Sequence, residues 1–492
     1  MSDKTRSLNA LGLTARDGRE AQITGLSVDS RKILPGHLFA ALPGSNMHGA
    51  EFVKFALRMD VGAVLTDPVG AEHIADIIGE TPLVVTEDPR QALSYACALW
   101  FGAQPPSMVA VTGTNGKTSV ANFTRQIWME MGLAGANLGT TGVEGAFNAP
   151  MTHTTPEPIT LHRLLHDMAK DGVTHAAMEA SSHGLAQRRL DGVHLMAAAF
   201  TNFSQDHLDY HANFTEYFEA KAGLFSRVLA EDGVAVINMD DARGKDMASI
   251  ARRQGHKVIR VGSNDYCELQ LMAQRFDATG QEVRFAYHGE IHQVRLDLIG
   301  GFQASNVLVA AALVNAAGMD WRDIFSTLPL LQTVRGRMER AATRENGAAV
   351  FVDYAHTPDA LATALRAIRP HVMGRLIVVF GAGGDRDRAK RPLMGEAARD
   401  HADVVFVTDD NPRSEDPSEI RRAILSTVPD ATEIPDRAEA ILRGVDALSP
   451  GDTLLIAGKG HETGQIVGDD VLPFDDVEQA SVAVAALDGR LV

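Results

Sequence analysis

The sequence predicts an α/β protein of three domains. These are a small N-terminal α/β domain over residues 1–106, a central phosphate-loop ATPase-like domain with a mostly parallel sheet over 107–334, and a C-terminal Rossmann-like α/β domain over 335–492. Three observations predict it. The chain has 492 residues, too many for one hydrophobic core. From residue 108 onward, short apolar runs rich in β-branched residues alternate with helix-like segments, as buried parallel strands do with their crossovers. One such run leads through Val109-Ala-Val111 into Thr112-Gly-Thr-Asn-Gly-Lys-Thr-Ser119 and a helix-like segment at 120–131, the order of strand, glycine loop and helix start that phosphate binding requires.

The N-terminal block alternates short strands, near 38–42, 63–66 and 83–85, with polar turns. A helix-like segment at 91–101 then runs into Gln104-Pro105-Pro106, a linker. In the central block, 173–180, 196–201 and 234–238 read as buried parallel strands. In the third, the runs 376–380, 404–407 and 453–457 are strands that each end in a polar loop. Open α/β sheets bind ligands beyond the carboxyl ends of their strands, where all three loops fall.

Composition bounds the function. With 45% hydrophobic and 22% charged residues the chain is globular, and a net charge of −17 argues against nucleic acid or anionic membrane as partner. Two distant cysteines, Cys97 and Cys267, make neither a disulfide framework nor a cysteine-rich metal site. There is no apolar run of membrane-spanning length and no signal-peptide core, so the expected location is the cytoplasm.

In the glycine loop, Gly113 and Gly116 let several N–H groups converge on one anion, with Thr114 and Asn115 between them and Ser119 closing the turn. Lys117 brings a point charge to the outer phosphates and the Thr118 hydroxyl can hold Mg²⁺. The loop is two residues shorter than G-x-x-x-x-G-K-[ST], with Val111 where that pattern has its first glycine. An ordinary turn before a helix is the simpler reading, but glycine, lysine and threonine all stand at the offsets a triphosphate needs.

Two clusters end the next strands, Met178-Glu-Ala-Ser-Ser-His-Gly184 and Thr201-Asn-Phe-Ser-Gln-Asp-His-Leu-Asp-Tyr-His211. Glu179 stands where a carboxylate can hold Mg²⁺ near the phosphates. Either cluster alone reads equally well as a solvated, helix-capping loop; two of them beside a phosphate loop favour function.

Together with Asp353-Tyr-Ala-His-Thr-Pro358, these segments resemble the Mur ligase family, ATP-dependent enzymes that build the peptidoglycan stem peptide. The resemblance runs from about residue 28 to 466. The run Asp410-Asn-Pro-Arg413 is similar to the motif of family members that add meso-2,6-diaminopimelate. The resemblance implies a monomeric ligase in which the D-glutamate γ-carboxylate of UDP-N-acetylmuramoyl-L-alanyl-D-glutamate attacks ATP. The resulting acyl phosphate is then displaced by the amine of diaminopimelate, with two Mg²⁺ ions neutralising the phosphates.

By the same resemblance Lys117, Glu179, His207 and Lys221 are catalytic, and Thr118, Glu179, His207 and a carbamylated Lys221 hold metal. Without it, Lys221 would read as a lysine lying along an amphipathic helix with its head in water. Asn306, Arg337, Asp353 and His356 match nucleotide contacts. Gln303 departs from the asparagine of many relatives and is not carried over. Val28, Ser30, Ser45, Asn46 and Met47 match uridine-diphosphate contacts, while His153, Thr154, Thr155, Ser181, Gln187 and Arg189 match muramoyl-dipeptide contacts. Arg386, Asp410, Asn411, Pro412, Arg413, Gly458 and Glu462 match the diaminopimelate site. An arginine fork suits the extra carboxylate that distinguishes this amino acid from lysine.

Residues drawn from all three domains imply closure around the ligands. Two other readings stay open. A ligase of the same fold could add L-lysine or extend a folyl-glutamate chain, differing at Arg386 and Arg413. A phosphate-loop ATPase acting as a switch or motor would leave the third domain's loops unused.

Overall fold

The structure, a computed structural model, describes residues 5–44, 47–204 and 210–490. Its architecture is mixed α/β, with three main sheets in chain order. The N-terminal sheet has four parallel strands, Gly25–Ser27, His37–Ala40, Ala63–Thr66 and Leu83–Val85. The helix Pro89–Phe101 follows, with Asp88 as its cap and proline at its first turn, where a missing N–H costs nothing. Gln104, in the expected linker, is pinned to the central block: its side chain donates to the His194 carbonyl at 2.9 Å and accepts from the His194 N–H at 3.1 Å.

The central sheet has ten strands. Ser107–Thr112 lies between His175–Glu179 and Leu195–Phe200, parallel to both. Strand order reverses at this strand, and the crevice at such a switch point is where open α/β sheets bind ligands. Its side chains alternate between two cores. Val109 and Val111 join the helices Lys117–Glu130 and Phe302–Ala316, while Met108 and Ala110 face the layer containing Pro158–Lys170. The sequence reading assigns no elements to the far end of this sheet, an antiparallel ribbon of Leu269–Asp277, Gly280–Tyr287 and Glu290–Leu296.

The C-terminal sheet has six strands. Ala349–Asp353, Thr453–Ala457, Leu376–Phe380, Val404–Val407 and Thr432–Glu433 run parallel in that order, and Glu339–Thr343 forms an antiparallel edge. The last three long strands match the expected runs, because each is a continuous buried apolar segment bounded by polar turns. Among the described residues, no helix is long and apolar enough to cross a membrane.

Candidate active site

The glycine loop leaves the central strand and feeds the helix Lys117–Glu130 through Gly116, whose φ of 85° lies in the left-handed region. A Cβ on Gly116 would stand 2.7 Å from the Asn306 amide oxygen, and one on Gly113 would collide with Thr201 Oγ1 at 1.9 Å. The loop therefore packs directly against the next strand end and the helix Phe302–Ala316. Asn306 and the buried Gln303 bond each other at 3.2 Å, so Gln303 braces the residue behind the loop.

Lys117 Nζ donates to the carbonyls of Gly113 (2.9 Å) and Thr114 (2.8 Å). Lys221, 1% exposed on the helix Phe214–Gly223, donates to the same Gly113 carbonyl at 2.7 Å and lies 4.5 Å from the Tyr217 ring centroid. Two lysine heads thus converge on one oxygen. Glu179 ends its strand fully buried, one oxygen accepting from the Thr140 N–H at 2.7 Å and the other from its hydroxyl at 3.2 Å. A Cβ on Gly139 would stand 2.0 Å from the Glu179 carboxylate, so only glycine fits beside it.

The C-terminal domain reaches into this region. Arg337 donates to Thr118 Oγ1 at 3.1 Å and lies over the Tyr354 ring. Asp353 accepts from the Met338 and Ala355 N–H groups; burial raises its pKa against the lowering effect of Arg337. His356 Nδ1 donates to the Tyr354 carbonyl.

One cavity of about 950 Å³ is lined by residues 114–119, His153, Thr154, Thr155, Glu179, Ser181, Arg189, Lys221, Asn306, Arg337, Asp353 and His356. Most of the described residues expected at the nucleotide, the metal and the dipeptide are thereby brought to one cavity; Gly113 and Gln187 are not in its lining. Gln187 bonds Arg189 of this lining: the Arg189 guanidinium donates to Gln187 Oε1 and to the Thr155 carbonyl, and Gln187 donates to the Tyr210 hydroxyl. Among the described residues no group of three or more His, Cys, Asp or Glu is placed to hold a metal. A Thr118 hydroxyl and a Glu179 carboxylate on one cavity nevertheless suit Mg²⁺, which keeps several waters and takes few protein ligands.

A second cavity, about 550 Å³, opens at the carboxyl ends of the third domain's strands and is lined by Arg386, Asp410, Asn411, Arg413, Gly458 and Glu462 among others. It shares His183, Tyr354, His356, Thr357, Asp359 and Arg386 with the first, so the two adjoin. Arg413 adopts a left-handed φ of 52°, and its Nη1 donates to the Gly384 carbonyl at 2.9 Å. A Cβ on Gly383 would stand 2.8 Å from that guanidinium, and one on Gly384 only 1.9 Å from the Pro412 carbonyl oxygen. The paired glycines admit the Asp-Asn-Pro-Arg turn. Gly458, at φ 119°, does the same for Asp410, whose carboxylate oxygen would lie 2.4 Å from a Cβ there.

Val28, Ser30 and Met47 line neither cavity; Val28 and Met47 are exposed on the N-terminal domain. Ser45, Asn46 and His207 lie outside the described residues.

Sequence reasoning passed over the supports. Arg437 is fully buried, paired with Asp476 at 2.7 Å, and donates to the carbonyls of Ala457 (3.0 Å) and Asp409 (3.3 Å), which ties together the ends of two strands that carry the pocket. Lys459 is 0% exposed beside Asn411 and Glu462. The available signal was Gly458-Lys-Gly-His-Glu462, a loop with two charged residues at a strand end.

Comparison with known proteins agrees with a three-domain nucleotide-dependent ligase. Residues 22–100 match the model "Mur ligase family, catalytic domain", 111–314 the "Mur ligase middle domain" and 336–460 the "Mur ligase, glutamate ligase domain". The chain belongs to the Mur ligase family, and is an ATP-dependent, amide-bond-forming ligase.

Among its relatives are two curated proteins named UDP-N-acetylmuramoyl-L-alanyl-D-glutamate–2,6-diaminopimelate ligase. That of Bradyrhizobium diazoefficiens is 48% identical over 94% of this chain and 95% of its own, and that of Rhizobium meliloti 47% identical over 96% of each. A solved structure of a ligase of the same name superposes with a TM-score of 0.71 at 34% identity, covering 98% of this chain and 99% of that one. Folylpolyglutamate synthase of Mycobacterium tuberculosis, solved with ADP and AMPPCP, shares the fold at 20% identity and a TM-score of 0.63, over 82% of this chain and 95% of its own.

Proposed function

We propose that this chain joins meso-2,6-diaminopimelate to the D-glutamate γ-carboxylate of UDP-N-acetylmuramoyl-L-alanyl-D-glutamate, a step of peptidoglycan precursor synthesis. The observation that carries the reading is the second cavity, where Arg413 and Arg386 stand with Asp410 and Glu462 beside the nucleotide cavity. An amino acid whose far end carries both an ammonium and a carboxylate needs both kinds of partner. An L-lysine substrate would leave the arginines without a counterpart, and likeness to the folyl-extending enzyme rests on fold alone.

The γ-carboxylate attacks the γ-phosphorus of ATP, releasing ADP and leaving an acyl phosphate. The free amine then adds to the acyl carbon. Expulsion of phosphate and loss of one proton give the amide. The N–H groups from Gly116 to Ser119 and the Lys117 ammonium hold the phosphates in place, while those of Thr114 and Asn115 bond Asn202. Asn306, Arg337, Asp353 and His356 hold the rest of the nucleotide. His153, Thr154, Thr155, Ser181, Gln187 and Arg189 orient the dipeptide, with Arg189 as partner for a carboxylate. Val28, Ser30, Ser45, Asn46 and Met47 receive the uridine diphosphate.

Thr118, Glu179, His207 and Lys221 would hold Mg²⁺, which when bound supplies the charge neutralisation that two anionic reactants need. We assign Lys221 as a carbamate. CO₂ adds to its unprotonated amine with release of a proton, which replaces one of two converging cations by an anion. The domain borders on this reading fall after residues 106 and 334.

Phosphate release from ATP, measured with the UDP-dipeptide and either meso-diaminopimelate or L-lysine, tests the assignment. Release with tripeptide product only for diaminopimelate is expected. Preference for lysine would overturn the reading of the third domain.

A further inference from the structure

Lys459 is a lysine with no exposed surface, set directly behind the pocket proposed to receive the amino acid. Burying an ammonium is costly unless it is paired and hydrogen-bonded. Its head donates to Asn411 Oδ1 at 2.9 Å and lies 3.4 Å from Glu462 Oε2. Asn411 Oδ1 also accepts from the Ile466 N–H at 2.9 Å, so both donors to this amide lie on its oxygen side. That fixes which way the amide points: Asn411 Nδ2 must face, and does donate to, Glu462 Oε2 at 2.9 Å. Both donors to Glu462 therefore act on one carboxylate oxygen.

The charge of the pocket gives this arrangement a consequence. Four carboxylates line the cavity, Asp359, Asp387, Asp410 and Glu462, against three cations, Arg386, Lys390 and Arg413. The lining alone is negative by one charge, and Lys459 behind it restores the balance. The nearby Arg437 adds nothing net, being paired with Asp476. A neutral pocket suits a side chain that ends in an ammonium and a carboxylate together. A negative one would attract a side chain that ends in a lone cation.

We propose that Lys459 is a specificity-determining positioning residue, which neutralises Glu462 and fixes the Asn411 amide so that the pocket selects a zwitterionic side-chain end over a cationic one. The proposal rests on the diaminopimelate reading given above. It differs from a purely structural role in what it predicts: a structural defect lowers turnover with every amino acid alike, whereas loss of the balancing charge changes the ratio between them.

The test is Lys459→Met, which keeps the length of the side chain and removes the charge. Glu462 keeps its bond from Asn411, and Asn411 keeps the Ile466 N–H, so neither partner is stranded. The kcat and KM are measured for meso-diaminopimelate and L-lysine with ATP and UDP-dipeptide saturating, beside the KM for ATP and the thermal midpoint. The expected result is a fall of roughly 10-fold in the kcat/KM ratio of diaminopimelate to lysine, the size of one charge felt across a partly solvated pocket. The change should lie in the two amino-acid KM values, with the KM for ATP unchanged. Lys459→Gln, which retains a donor, replaces the methionine variant if that does not fold. A ratio within about twofold of wild type, in a variant that folds, overturns the proposal alone. A wild-type protein that does not use diaminopimelate removes it together with the reading it rests on.

Discussion

The glycine loop and the third-domain pocket both lie at the carboxyl ends of parallel strands, yet they are built in opposite ways. The loop is one contiguous run that carries its own chemistry: Lys117 bonds carbonyls of the loop itself, and Gly113 and Gly116 only clear space for Thr201 and Asn306 behind it. The pocket is assembled from His183 and segments near 354–359, 381–393, 410–413 and 458–462. Side-chain bonds and two buried cations hold these together, Arg437 on Asp476 and Lys459 on Asn411 and Glu462. A site encoded locally can pass between proteins with many functions. A site encoded by tertiary packing is where members of a family diverge.

The contrast can be broken most forcefully at Asp476. Asp476→Ala strands a fully buried guanidinium and should cost about 3–5 kcal/mol of stability, read from the denaturant midpoint. A loss below about 1 kcal/mol would mean that the ion pair does not hold the strand ends together. On the nucleotide side, Lys221→Ala should lower kcat by roughly 10²–10³-fold, with partial recovery on adding short carboxylic acids in place of the proposed carbamate. Wild-type turnover in the variant would remove the carbamate. Arg413→Met should raise the KM for diaminopimelate by the equivalent of about 1.5–3 kcal/mol, the range of a hydrogen bond to a charged group. The KM for ATP should stay the same. Equal changes in both would show that the two sites are not separable.

The smallest effect concerns His461, which lines the larger cavity one residue before Glu462 of the smaller one. Burial, then the charges of Arg337 and Arg335, lower its pKa to about 4. With the folded value below the unfolded one, the neutral ring contributes stability above the unfolded pKa of about 6.5. That contribution is lost as the pH falls through about 4. Ring NMR shifts should stay flat from pH 8 to about 5.5; a midpoint near 6.5 would show a solvated, unburied imidazole.

What the sequence disclosed divides between short runs at strand ends, present in both sites, and the side chains that support them. The glycine loop, Glu179 and Asp410-Asn-Pro-Arg413 were legible because each is a short run at the end of an apolar strand, where position along the chain nearly determines position in space. Lys459 and Arg437 were not, since lysine and arginine are ordinarily exposed and only tertiary packing buries them. Gln303 looked like a departure from a pattern and turns out to brace Asn306 from within the core. The antiparallel ribbon from Leu269 to Leu296 escaped notice because its strands mix buried apolar with exposed polar positions and so offer no continuous apolar run. Glycines 383 and 384 carried information that only coordinates could expose, since their role is to clear space for Arg413 and Pro412.

The central claim is that the third domain, through Arg413 and its neighbours, receives the far end of diaminopimelate while the glycine loop serves the nucleotide. The most direct test is a crystal structure of the protein with the UDP-tripeptide product and ADP. The distal carboxylate of the diaminopimelyl group is expected within hydrogen-bonding distance of the Arg413 guanidinium, with its ammonium beside Asp410 or Glu462. A product whose distal carboxylate lies in solvent, or against residues of the central domain, would contradict it.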